Sequence, residues 1–341
     1  MNFTHAEKKT FLEEYGYNTT ALFNFVKENP DKDWNWRWLS ANPNITLKDV
    51  LENPDKPWNW YCLSENPNIT LKDVLENPDK DWNWAYLSAN PNITVKDVLE
   101  NPDKDWNWAY LSQNPNITMK DVLENPNKPW NWKWLSGNPN ITLKDVLENP
   151  DKDWDWYCLS ANPNITLKDV LENPTLGGAD KDWDWEYLSE NPNITMKDVL
   201  ENPDKSWDWG WLSLNPSITM KDVLENPTLG EADKNWDWTY LSANSSITLK
   251  DVLENPDKNW NWNWLSVNPN ITLKDVLENP NKNWSWAWLS HNKFFYNNTV
   301  FNREYTKIKT KEKQDYTKKT LYENTDICPD IINEIVSWIS L

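Results

Sequence analysis

The chain has 341 residues, of which 28 are tryptophan, two histidine and three cysteine, and a net charge of -19. That charge argues against a nucleic-acid grip through most of the chain, because phosphate contacts need clustered Lys and Arg. It fits either the plain solubility of a long surface or a basic partner. With a mean hydropathy of -0.88, the core must be aromatic and sparse rather than aliphatic and thick.

Residues 1–30 read as a degenerate first repeat that caps the chain. Thr4 and Glu7 form a capping box ahead of a helix carrying Phe11, Leu12 and Tyr15. A second helix carries Leu22, Phe23 and Val26 and ends in Glu28-Asn29-Pro30.

Residues 31–292 are a tandem array of eleven repeats. Trp-x-Trp pairs begin at Trp34, Trp58, Trp82, Trp106, Trp130, Trp154, Trp183, Trp207, Trp236, Trp260 and Trp284, spaced 24 residues eight times and 29 twice. A fixed period of this size marks a solenoid whose units bury their apolar faces against neighbours. Each unit reads as two short helices, so the expected fold is an all-α solenoid of roughly 24-residue repeats forming a superhelical array.

The second helix of the unit is the better specified. Thr46 is an N-cap, Asp49 completes a capping box, and Ile45 with Val50 forms a hydrophobic staple. Leu47, Val50 and Leu51 form one apolar stripe. Asn53 supplies a residue tolerant of the left-handed conformation, and Pro54 stops the helix. The first helix is expected to start at an Asp31 N-cap, with Trp34, Trp36, Trp38 and Leu39 spread over an arc wide enough to wedge between two neighbours. Asn35, only ever Asn, Asp or Ser in the copies, falls inside that arc. It should bond a neighbouring helix end or an equivalent residue one repeat away.

The copies disagree mainly at two positions four residues apart, which share a helix face. The first holds Arg37, Tyr61, Lys133, Tyr157 and Glu186; the second holds Ala41, Glu65, Glu190, Leu214 and His291. Two near-identical inserts, 175–179 and 228–232, carry Leu176 and Leu229 and enlarge the loops before the seventh and ninth Trp pairs. Insertions in repeat proteins map to loops on one side, often the binding side. These twelve residues form the candidate partner surface. Tryptophan itself reads chiefly as core, against a row of exposed aromatic platforms.

After Asn292 the pattern dissolves. Residues 293–341 carry the one basic stretch, 303–319, and a last apolar helix with Ile331, Ile332, Ile335, Trp338 and Ile339, which either closes the array or docks on a partner.

Cys62 and Cys158 share a repeat position that otherwise holds Trp or Tyr. Four repeats apart, they lie too far for a disulfide, and they read as small buried substitutes in a reducing compartment. Met1 to Thr10 holds no apolar signal segment, so an intracellular, non-secreted setting is expected, with no membrane span. No metal, phosphate-loop or nucleophile-elbow motif occurs, and the many carboxylates sit in identical copies rather than in one differing pair. No enzyme activity, cofactor or metal is expected.

The string Asn-Pro-Asn-Ile-Thr followed by Lys-Asp-Val-Leu-Glu-Asn-Pro-Asp-Lys-x-Trp-Asn-Trp resembles the tryptophan-rich tandem repeats of proteins from giant DNA viruses of the mimivirus type. The exit at Asn292-Lys293-Phe294 with Asn298-Thr299-Val300 is similar to the end of those proteins. The likeness covers roughly residues 31–303, and Asn244-Ser245-Ser246 departs from it by lacking the proline. It implies a protein of the infected cell or the virion and transfers no catalytic residue. The leading expectation is a non-enzymatic scaffold for protein partners; the alternatives are a virion structural component and an aromatic ligand-binding array.

Overall fold

The computed structural model describes residues 5–15, 21–173, 183–227, 235–294 and 305–317, and every regular element among them is helical. After α1 (His5–Glu14) and α2 (Ala21–Glu28), two kinds of helix alternate. Odd-numbered Trp helices run from α3 (Trp36–Ala41) to α23 (Trp286–Leu289), and even-numbered acidic helices run from α4 (Leu47–Glu52) to α22 (Leu273–Glu278). A final helix, α24, spans 305–317. This is the two-helix solenoid anticipated from the period.

Helices of six residues do not persist alone, because nucleation costs more than two turns return. Here both ends are tied. In all ten acidic helices from α4 to α22, the Thr hydroxyl accepts from the Asp backbone N–H while the Asp carboxylate accepts from the Thr backbone N–H. The helix end is held differently from the expectation. Asn53 stays at φ -130, outside the left-handed region, and its Nδ2 donates to Asp49 O at 2.8 Å.

The Trp helices begin later than expected. Asp31 is no cap: residues 29–34 form a turn in which Lys32 N–H donates to Asn29 O and Trp34 N–H to Lys32 O. The cap is Asn35, whose Oδ1 accepts from Trp38 N–H at 3.1 Å. The first Trp of each pair therefore lies in the loop, where its indole N–H reaches back to the Asn that ends the acidic helix, as from Trp58 to Asn53 O at 2.9 Å.

Neighbouring copies are joined by one repeated set of bonds. Asn59 N–H donates to Ser40 Oγ, and Asn66 Nδ2 donates to both Ser40 O and Asn42 O, all between 2.8 and 2.9 Å. Behind them Trp36 meets Trp58 edge to face at 5.0 Å. Leu39, Ile45 and their equivalents are fully buried.

The same set joins the last copy to the first. Asn35 N–H donates to Ser290 Oγ at 3.0 Å, and Asn42 Nδ2 donates to Ser290 O at 2.9 Å and to Asn292 O at 3.0 Å. Trp286 meets Trp34 edge to face at 5.5 Å. The solenoid thus closes on itself as a ring of eleven Trp helices, turning about 33° per copy. The backbone N–H to serine bond recurs at all eleven junctions.

The outer layer is completed by the N-terminal segment. With ten acidic helices for eleven Trp helices, α2 supplies the missing one. Its Asn29 Nδ2 donates to Phe25 O, and Trp34 Nε1 donates to Asn29 O at 2.8 Å, repeating the internal pattern. Leu22, Phe23 and Val26 share one core cluster with Ile271, Val276 and Trp284, so both ends of the array are fastened together. Beyond Asn292, Phe294 takes φ 45 and is buried in the same core cluster. Helix α1 packs on α24 through Phe11, Leu12, Tyr305 and Ile308, and Tyr15 hydrogen-bonds Glu312.

Consecutive Trp helices pack directly on one another, whereas the acidic helices stand farther apart. The Trp helices are therefore the inner layer. Helices packed at about 8–10 Å place eleven axes on a circle about 30 Å across.

Candidate functional site

The inner wall is built from three positions of each Trp helix. On a 100° wheel, Trp36, Leu39 and Ser40 turn outward to the core, which leaves positions equivalent to 37, 38 and 41 on the opposite side. The neighbours of these side chains confirm the geometry. Arg37 interacts with the Cys62 thiol of the next copy and with Tyr86 one copy further, which raises its pKa. In five neighbouring pairs the ring centres of wall aromatics lie 5.1 to 6.3 Å apart, closer than their helices can pack. Side chains that converge in this way point toward the ring axis.

Ten of the twelve candidate residues fall on this wall. Arg37, Tyr61, Lys133, Tyr157 and Glu186 occupy the position of residue 37, and Ala41, Glu65, Glu190, Leu214 and His291 that of residue 41. Leu176 and Leu229 lie outside the described residues, as do Thr4 and the C-terminal apolar helix.

A third row, not apparent from the sequence, lies beside these two. Position 38 was read as core, yet Trp134, Tyr187, Trp211 and Tyr240 are exposed there. Trp38 contacts Trp288 at 5.3 Å, Trp288 contacts Trp264 at 5.1 Å, and Trp211 stacks on Tyr240 at an interplanar angle of 11°. Gly210 allows that stack, since a Cβ there would sit 3.2 Å from the Tyr240 ring.

The two cysteines interrupt the row at Cys62 and Cys158, and in those same copies position 37 becomes Tyr61 and Tyr157. These tyrosines are 55% and 57% exposed, and Tyr157 reaches Tyr187 at 5.4 Å. Every copy thus contributes one aromatic ring to the wall at one of two adjacent positions. A core requirement does not explain the exchange, because the replacement rings are among the most exposed in the ring. That compensation was the signal available in the sequence.

Charges on the wall are few, and those at the position of residue 41 are partly desolvated. Burial raises the carboxyl pKa of Glu65, offset by the nearby cations Lys293 and Arg37. Burial alone raises that of Glu190, with no cation opposing it. Burial, then the charge of Lys293, lowers the imidazole pKa of His291, and burial pushes the Cys158 thiol up to about 11. Glu65, Glu190 and His291 are accessible to water yet desolvated by the protein around them, as expected on a concave surface.

The outer rim is different. Leu51 was expected on the dry stripe, but it and its nine equivalents are exposed, because the outer helices have no neighbours close enough to cover that side. Lys48 pairs with Glu52 at 3.7 Å on the same surface, and the pair recurs in every acidic helix from α4 to α22. The rim repeats; the wall varies. No helix among the described residues is long and apolar enough to cross a membrane. No protein-family model, curated protein or solved structure matches the chain.

Proposed function

We propose that this protein is a non-enzymatic ring scaffold that binds a protein partner on its inner wall, acting in an infected cell as its likeness to giant-virus repeat proteins implies. The observation that carries this reading is the retained aromatic ring in each copy, kept on the wall even where position 38 has become cysteine. Exposed Tyr and Trp give large contact areas at low entropic cost and dominate protein interfaces. The nearly identical rim cannot single out one partner, whereas the wall presents a different face at each copy.

The test compares partner capture from infected-cell lysate by the wild type and by a Tyr61→Ala, Tyr157→Ala, Trp211→Ala variant with unchanged far-UV circular dichroism. Loss of the captured protein supports the wall. Undiminished capture, abolished instead by charge reversal at Lys48 and its equivalents, places binding on the rim. The evenly repeated exposed leucines of that rim favour a second reading, a virion component that packs through its circumference. Abundance in purified particles without a lysate partner would decide for it.

A further inference from the structure

We infer that the inner wall takes a single basic polypeptide segment, entering end-first, and holds one of its Lys or Arg side chains against Tyr157, Tyr187 and Trp211 between the carboxylates of Glu186 and Glu190. This inference rests on the wall being the binding surface and names its occupant.

Size comes first. Eleven helix axes on a circle about 30 Å across, each with about 5–6 Å of helix and side chain turned inward, leave a bore about 20 Å wide. Five of the eleven neighbouring pairs of wall rings lie 5.1 to 6.3 Å apart, centre to centre, along it. One α-helix with side chains, about 10–12 Å wide, fits. A folded domain does not, and the net charge of -19 would repel a nucleic-acid duplex. Because the ring is closed at every junction, a segment can enter only through an opening of the bore.

Charge and rings supply the chemistry. Tyr157 and Tyr187 lie 5.4 Å apart at 52°, two half-exposed faces inclined to each other, with Trp211 of the next copy beyond them. Glu186 and Glu190 flank Tyr187 one helical turn apart. Glu65, on the other side of the ring, already has Arg37 and Lys293 beside it; Glu190 has no such cation, and burial alone governs its carboxyl. Aromatic faces beside an enclosed, uncompensated carboxylate suit a cationic side chain through cation–π attraction and ion pairing.

The experiment measures fluorescence anisotropy of a labelled 20-residue peptide containing lysines on the full-length protein, alongside the same peptide acetylated on every lysine. Expected are binding that weakens at least tenfold on acetylation, a similar loss in Tyr157→Ala with Tyr187→Ala, a several-fold loss with reduced salt dependence in Glu186→Gln with Glu190→Gln, and retention in Tyr187→Phe. The lysine peptide fused at both ends to folded domains should bind far more slowly than the free one. Equal binding of the acetylated peptide, or equal on-rates for the doubly blocked one, overturns the inference while leaving the wall as the binding surface. So does tighter binding of a neutral oligosaccharide that the wall variants lose. Peptide binding unchanged in every wall variant overturns both.

Discussion

Asn42 and its ten equivalents form a closed ladder in which each side-chain amide donates to carbonyls of the preceding copy, and all eleven are buried. Asn114 shows the stakes: its Nδ2 donates to Ser88 O, Asn90 O and Ile93 O at 2.9, 2.8 and 3.2 Å. Asn114→Ala leaves buried acceptors without partners and should cost about 3 kcal/mol in urea denaturation. Asn116→Ala, at an exposed site where water replaces the lost bonds, should cost less than about 1 kcal/mol. A second residue prediction concerns pH. Burial raises the Glu190 pKa above 4.5, so the folded state holds its proton more tightly than the unfolded chain. The stability this contributes is full below the unfolded pKa and is lost as pH rises through the folded one. Glu190→Gln should therefore raise Tm at pH 7, with the gain gone by pH 4; equal gains at both pH values would show that burial of the charge is not the cause.

At the scale of elements, tryptophan turns out to do two jobs that the sequence alone had set against each other. Trp34 and Trp36 and their equivalents meet edge to face between neighbouring copies, while position 38 faces the bore. Trp108 meets Trp130 at 4.9 Å, and Trp108→Ala should cost about 3–5 kcal/mol. Trp134, 42% exposed, should change stability by less than about 1 kcal/mol when replaced by Ala. Loss of the fold in both variants would refute that division. The acidic helix was legible almost completely, because Thr46 and Asp49 act within one turn and their geometry is local. Thr118→Ala should cost about 1 kcal/mol. The Trp helix was legible only in part. Its cap lies at Asn35 because the preceding loop hooks the first indole onto the previous helix, a contact between elements that helical periodicity does not display.

For the whole molecule, closure changes what the ends mean. In an open array, terminal junctions support only one neighbour; here the seam repeats the internal bonds. Asn42→Ala, at the seam, and Asn138→Ala, within the array, should then destabilise by amounts within about 0.5 kcal/mol of each other. Small-angle scattering should give a maximum dimension of about 60–70 Å, against more than about 100 Å for eleven copies extended at about 10 Å each. The second value would exclude the ring. Helix α2 is the fastening: Phe25 contacts both Trp34 and Trp286 at 5.9 Å, and Phe25→Ala should lower the unfolding midpoint and, if the seam opens, enlarge the particle in the same scattering measurement.

The unit, its period, its capping boxes and the positions where copies differ were determined by sequence, since each rests on contacts within about 24 residues or on comparison between copies. Closure was not. It depends on the small difference in spacing between an inner layer of bonded Trp helices and an outer layer held apart, accumulated over eleven junctions until Ser290 meets Asn35. Nor could the chain alone show that residues 37, 38 and 41 converge, because whether a varied face is convex or concave is a property of curvature. The tertiary structure decided that the face where the copies differ is an enclosed wall.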